Sequence, residues 1–196
     1  MSRTLSALVV ALALLVTLSA AAPAQNNKDT WQLDPPHCSA QFSVRHLGVS
    51  TVRGAFTKVS GTVHYDPANL GKSSVQTTID AASVDTRVEM RDNDLRSPNF
   101  LDVKKYPAIT FTSKKIEAAG AGKLTVVGDL TIRGVTKEVA LDVDGPTPAM
   151  KDPWGNLRMG ASATAKINRL DFGVAGAPGL VGDDITITLD IEMIQK

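Results

Sequence analysis

The sequence predicts an all-β domain: a closed antiparallel sheet of about eight strands, with one short helix near an opening. Three observations point there. Between Leu157 and Ile167 apolar and small residues (Leu157, Met159, Ala161, Ala163, Ala165, Ile167) alternate with Arg158, Gly160, Ser162, Thr164 and Lys166. That two-residue period is the mark of a strand with one apolar and one polar face. Similar two-faced segments recur along the chain at the short spacing of antiparallel meanders. The third observation is that the apolar face of this segment is alanine at its centre, which lines a space without filling it.

Taken in order, Ala40, Phe42, Val44 and His46 alternate with Gln41, Ser43 and Arg45, and Val59, Gly61, Val63 and Tyr65 with Ser60, Thr62 and His64. Val75, Thr77 and Ile79 follow, then Ile109 and Phe111, then a strand over Leu124 to Ile132. Val135, Val139, Leu141 and Val143 form one face of the next strand, and Ile185, Ile187, Leu189, Ile191 and Met193 one face of the last. Arg133-Gly134 reads as a tight hairpin turn because glycine supplies the positive φ such turns need. Asp66 to Asn69 and Gly120 to Gly122 are further turns, and the proline-rich stretch from Gly145 to Gly155 reads as a surface loop. From Arg87 to Ser97 the two-residue rhythm breaks. Thr86 as N-cap with Glu89 three residues on is a capping-box pattern, and Val88 and Leu95 mark the apolar face, with Arg91 and Asp92 between them.

A small barrel is solid when bulky residues meet at its axis and holds a ligand when they do not. The inward set proposed here includes Ala40, Gly61, Ala161, Ala163 and Ala165, and aromatic residues make up only 5% of the chain. A dry, apolar cavity follows; the competing architecture is a two-sheet sandwich in which small residues let the sheets approach.

The N-terminus reads as an export signal over residues 1–24. Arg3 provides the positive start, Ala7 to Val16 is unbroken apolar sequence, and Ala22-Pro23-Ala24 is a small-x-small cleavage site. The run is shorter than the roughly 20 residues of a membrane span, so no stable membrane insertion is expected. Residues 25–196 are read as one domain, with a periplasmic location expected and secretion beyond it left open. Arg3 is the signal's one charged residue, so removing it balances the 21 Lys and Arg against the 20 Asp and Glu. A neutral chain without a basic cluster suits neither nucleic acid nor an anionic membrane surface. Cys38, the only cysteine, has no partner for an internal disulfide.

Five sequence blocks resemble the YceI family of exported proteins that bind polyisoprenoid and related lipids. They are Trp31 to Phe42 continuing through Val44-Arg45-His46-Leu47-Gly48; Arg91 to Arg96 with Phe100-Leu101-Asp102-Val103; Tyr106 to Phe111; Gly128 to Lys137; and Ile167 to Gly173. They run in order along essentially the whole mature chain. The resemblance implies a lipocalin-like antiparallel β-barrel that holds an isoprenoid or fatty-acyl chain along its axis. Cys38 departs from the family, which more often has serine after the histidine.

The expected cavity wall comprises Phe42, Val44, Val63, Ile79, Val88, Leu95, Phe100, Phe111, Leu130, Ile132, Met159, Ala161, Ala163 and Phe172. Candidate polar residues for a ligand's head or the cavity mouth are His37, His46, Arg91, Asp92, Asn168 and Arg169. Each has a structural alternative. Arg91 and Asp92 could form buried ion pairs with Asp102 or Arg169, His37 could bond backbone, His46 could be a satisfied core histidine, and Asn168-Arg169 could shape a strand exit. No Gly-x-Ser-x-Gly elbow, His-Glu-x-x-His pair, phosphate loop or Cys-x-x-Cys motif is present. The reading is therefore a non-enzymatic, cofactor-free and metal-free lipid binder, with an isoprenoid or long-chain lipid as partner and pairing into a homodimer left open. A lipid hydrolase, or a solid-cored module working through its outer surface, are the rival functions.

Overall fold

The structure is a computed structural model and describes residues 29–196. The expected export signal lies outside the described residues. Twelve strand segments run β1 (Thr30–Leu33), β2 (Ser39–His46), β3 (Ser50–Phe56), β4 (Val59–His64), β5 (Ser74–Asp80), β6 (Val84–Asp85), β7 (Ala108–Gly120), β8 (Lys123–Ile132), β9 (Val135–Asp144), β10 (Met150–Lys151), β11 (Leu157–Asn168) and β12 (Val181–Gln195). One helix, α1 (Glu89–Arg96), lies between β6 and β7.

All pairings are antiparallel. Following them from β12 through β1, β4, β5, β7, β8, β9 and β11 returns to β12, which closes an eight-stranded barrel. The first ribbons are bent strands. A one-turn 3-10 segment, Pro35–His37, separates β1 from β2, and β12 pairs with β2 along its first part and with β1 at its end. Prolines cannot donate to a ladder, so Pro35-Pro36 breaks the strand where it turns the corner. The sequence-predicted closed sheet is therefore the fold, and the sandwich is not.

Two features explain why the barrel is not solid. Phe42 and Phe111 lie flat against the wall over glycines: a Cβ on Gly54 would come within 2.5 Å of the Phe42 ring tip, and one on Gly128 within 2.6 Å of the Phe111 ring tip. Rings laid on the sheet in this way leave the axis free. The second feature is the alanine run of β11, whose Ala163 and Ala165 are buried against β12. Gly61 serves a different purpose from the one expected. A Cβ there would meet the Gln76 carbonyl oxygen at 2.5 Å, so it permits close approach of β4 to β5.

Two local expectations are corrected. The helix begins at Glu89, with Val88 at the N-cap and no side-chain cap; Arg87 has φ +65°, and Thr86 is buried and bonded elsewhere. The Gly145–Gly155 loop contains β10, a two-residue strand paired with the start of β11. The hairpin at Arg133-Gly134 is as read, both residues having positive φ and Ile132 pairing with Val135.

The barrel has two unlike ends. The starts of β7, β9 and β12 and the ends of β8 and β11 meet at the end where α1, its following segment and the 3-10 turn Arg169–Phe172 lie. The ends of β4 and β12, the start of β11 and the β7–β8 turn form the opposite one. Among the described residues no helix is long and apolar enough to cross a membrane.

Candidate functional site: an apolar cavity along the barrel axis

A cavity of about 300 Å³ runs inside the barrel. It reaches Leu95, Phe100, Leu101, Phe172 and Val174 at the α1 end and Leu33, Tyr65, Pro146, Met159 and Met193 at the other. This volume lies at the lower bound of the roughly 300–1,000 Å³ typical of small-molecule sites. The inward faces of β2, β4, β5, β8, β11 and β12 supply the walls, and the lining is almost wholly apolar.

The expected wall residues meet there with one exception. Phe42, Val44, Val63, Ile79, Leu95, Phe100, Phe111, Leu130, Ile132, Met159, Ala161, Ala163 and Phe172 all line the cavity. Val88 does not: it is the extended residue before the helix, is 44% exposed and is not part of the lining. Ala165 is buried without reaching the cavity. Sequence reasoning missed Ile116, because a register shift between Ser113 and Lys115 changes which parity of β7 faces inward. Tyr65 and Thr77 also line it; their alternation had placed them on the inward face, but they were not named as wall residues.

The polar candidates scatter, and most are structural. Arg169, 4% exposed, touches the cavity, but its guanidinium makes five hydrogen bonds: Nε donates to the Gly182 carbonyl, Nη1 to Val174 and Gly176, and Nη2 to Val181 and Asp183. A guanidinium has five N–H donors, so none is left for a ligand. The Asn168 carboxamide oxygen accepts from the Leu170 amide and caps the same turn. Arg91 Nε donates to Thr86 Oγ1, which in turn donates to Asp92 Oδ1 at 2.6 Å; Asp92 also accepts from the Thr86 amide. The expected ion pairs of Arg91 and Asp92 with Asp102 or Arg169 are not formed, because Thr86 is nearer and satisfies both residues. His46 lies at the end of β2 outside the cavity, and His37 is exposed on the outer surface, its Nδ1 2.8 Å from Asp34 Oδ2.

At the end opposite α1, the outer surface carries a charged cluster centred on Arg158. Its guanidinium donates to Asp34, Asp152 and Glu192, and these three carboxylates push its own pKa upward. Burial raises the Asp152 carboxyl, but hydrogen bonds from Arg158, Asn156 and the backbone outweigh that and hold it well below the usual carboxylate range. Bonds from Arg158 and His37 likewise lower Asp34. Asp34, His37 and Glu192 bring ligand-type atoms within 4.8 Å of one another, yet Arg158 already supplies the positive charge that the two carboxylates require. Beside them, burial raises the Cys38 thiol, which donates to the Glu192 carbonyl.

Residues 31–193 match the YceI-like domain model. A UPF0312 protein of Vibrio cholerae is 40% identical over 162 residues, covering 82% of this chain and 83% of its own. The crystal structure of a Campylobacter jejuni YCEI protein, 36% identical, superposes with a TM-score of 0.69 over 78% of this chain and 90% of that one. A domain from Saccharophagus degradans, described as polyisoprenoid binding and implicated in plant cell wall breakdown, shares the fold at 16% identity with a TM-score of 0.64, over 85% of this chain and 98% of that one. The chain belongs to the YceI-like family.

Proposed function

We propose that this protein binds and sequesters or carries an isoprenoid-type or other long-chain lipid, with the tail laid along the barrel axis. The observation that carries the reading is a ligand-sized, almost wholly apolar void running from one end of the barrel to the other. Each methylene moved from water into such a space contributes about 0.8 kcal/mol, so a tail of some ten methylenes gains about 8 kcal/mol before the costs of ordering are subtracted. The polyisoprenoid-binding description of the Saccharophagus domain, a protein of the same fold, supports the ligand class. The reading assigns no chemistry to the chain, consistent with a Cys38 thiol held protonated by burial. The N-terminal pattern supports export to the periplasm, and N-terminal sequencing of the exported protein, expected to start at Gln25, tests that part.

The decisive measurement is ligand occupancy. Mass spectrometry of the natively exported protein is expected to find a co-purifying lipid with a long apolar tail. Ala163→Phe, which thrusts a ring from β11 into the lumen, is expected to reduce occupancy about tenfold or more while the fold persists, because overpacking strain of about 1–3 kcal/mol falls on the bound state. Unchanged lipid content in that variant, with circular dichroism intact, would refute the reading.

A further inference from the structure

The end of the barrel opposite α1 carries a hairpin that overshoots the wall. The β11–β12 ladder begins at Arg158, so the stretch from Asp152 to Leu157 extends beyond it, and β10 bonds to β11 alone. The tip is a turn from Asp152 to Gly155, closed by the Gly155 amide donating to the Asp152 carbonyl. The Asp152 carboxylate locks that turn: Oδ1 accepts from the Trp154 and Asn156 amides, Oδ2 from Asn156 Nδ2 and Arg158 Nε. Trp154 stands 80% exposed on this support, with Met150 65% and Leu157 37% exposed on the flanking strands. Tryptophan is highly buried on average, so a bare one on a turn this firmly held calls for a partner. Two observations bear on which. Leu157 continues the alternation of Met159, Ala161 and Ala163, the cavity-lining residues of β11, so an apolar stripe runs from the hairpin into the cavity. Between Gly145 and Leu157 the only charged residues are Lys151, which is exposed, and Asp152, which is buried and bonded to Arg158. The tip thus presents a cation and no free carboxylate.

We propose that this hairpin is a membrane-docking element: Trp154, Met150 and Leu157 enter the interfacial layer of a bilayer and bring the end opposite α1 against the lipid surface. It rests on the lipid-binding reading only for the purpose of the encounter. Tryptophan favours the headgroup level, where its apolar body and its polar N–H are both accommodated. A lysine beside it can bury its stem and leave its ammonium among the lipid phosphates. A second copy of the chain fits less well: three side chains on a two-stranded tip fall well short of the roughly 800 Å² per partner of a specific protein interface. The docking is shallow and mainly apolar, since 21 Lys and Arg against 20 Asp and Glu give little attraction to an anionic surface. The α1 end also exposes Leu47, Val49 and Leu180, but no aromatic ring among the described residues stands with them, and it provides the control.

The test is flotation of the natively exported protein with vesicles of phosphatidylcholine, alone or mixed equally with phosphatidylglycerol. The protein is expected to float with both, and added salt to change little. Trp154→Ser is expected to weaken vesicle binding about tenfold, and Val49→Ser, at the α1 end, to leave it unchanged. Both positions are exposed, so circular dichroism should show the fold intact in each variant. Trp31 is 5% exposed and Trp154 is the chain's other tryptophan. Vesicles should therefore shift the emission to the blue in the wild type and not in Trp154→Ser. Equal flotation of the wild type and Trp154→Ser, a loss confined to Val49→Ser, or flotation only with phosphatidylglycerol and reversed by salt, overturns docking through this hairpin. So does an absence of flotation together with a dimer that Trp154→Ser abolishes in sedimentation, which would make the hairpin a contact between copies. Lipid content of the same preparations separates the two readings. A protein that floats but carries no lipid refutes lipid carriage and keeps docking; one that is lipid-loaded and never floats refutes docking and keeps carriage.

Discussion

The α1 end of the barrel and the end opposite it are built from similar residue types to opposite purposes. At the α1 end the buried charges are consumed by the chain, Arg169 by four carbonyls and Asp183 and Asp92 by Thr86, and the half-buried Arg133 is held by the carbonyls of Pro98 and Phe100. At the opposite end the charges sit outside the cavity, in the Arg158 cluster. Side chains whose donors are all spent on the fold cannot also read a ligand, so the first end acts as a plug, and the second keeps its charges in a cluster on the outer surface.

Removing Arg169 is the most drastic way to break that division. Arg169→Leu leaves the carbonyls of Val174, Gly176, Val181 and Gly182 without their donor inside the plug. It is expected to destabilise the protein by about 3–5 kcal/mol, read from urea unfolding. If the variant unfolds with the wild-type midpoint, the plug description is wrong.

Acid sharpens the contrast next. The Asp152 and Asp34 carboxyls are held below their ordinary value of 3.8 in the folded protein. They therefore contribute stability that is fully present above that value and is lost as pH falls below it toward the folded pKa values. The urea midpoint should drop between about pH 4 and pH 2, and Asp152→Asn should flatten that drop. An Asp152→Asn variant with the wild-type pH profile would deny the cluster its assigned role.

The smallest effect belongs to the tip of the β2–β3 hairpin, on the α1 side. Leu47 has φ +51° and is 55% exposed. A bulky L-residue is disfavoured in that conformation and asparagine tolerates it. Leu47→Asn is expected to raise stability by about 0.5–1 kcal/mol without altering lipid occupancy. A loss of occupancy would tie this tip to ligand uptake and blur the distinction between the ends.

Much of the wall was legible in the sequence because a strand has only two faces. Once Ala161 and Ala163 are known to point inward, Met159 must do so as well. The reading failed where a local irregularity reset the period. The bulge in β7 brought Ile116 inward, and the left-handed Arg87 delayed the helix and turned Val88 outward. The polar candidates fared worse for a related reason: whether an arginine is free depends on acceptors contributed by other segments, as Arg169 depends on Val181 and Gly182 at the start of β12.

By itself the sequence determined most of the long strands, their two faces, the Arg133-Gly134 turn and the alanine lining of one wall, since all of these follow from periods and propensities within ten or so residues. Only the tertiary structure decided which polar groups were spent on the fold, and on what. Hydrogen-bond saturation is a property of residues far apart in the chain, and no local pattern encodes it.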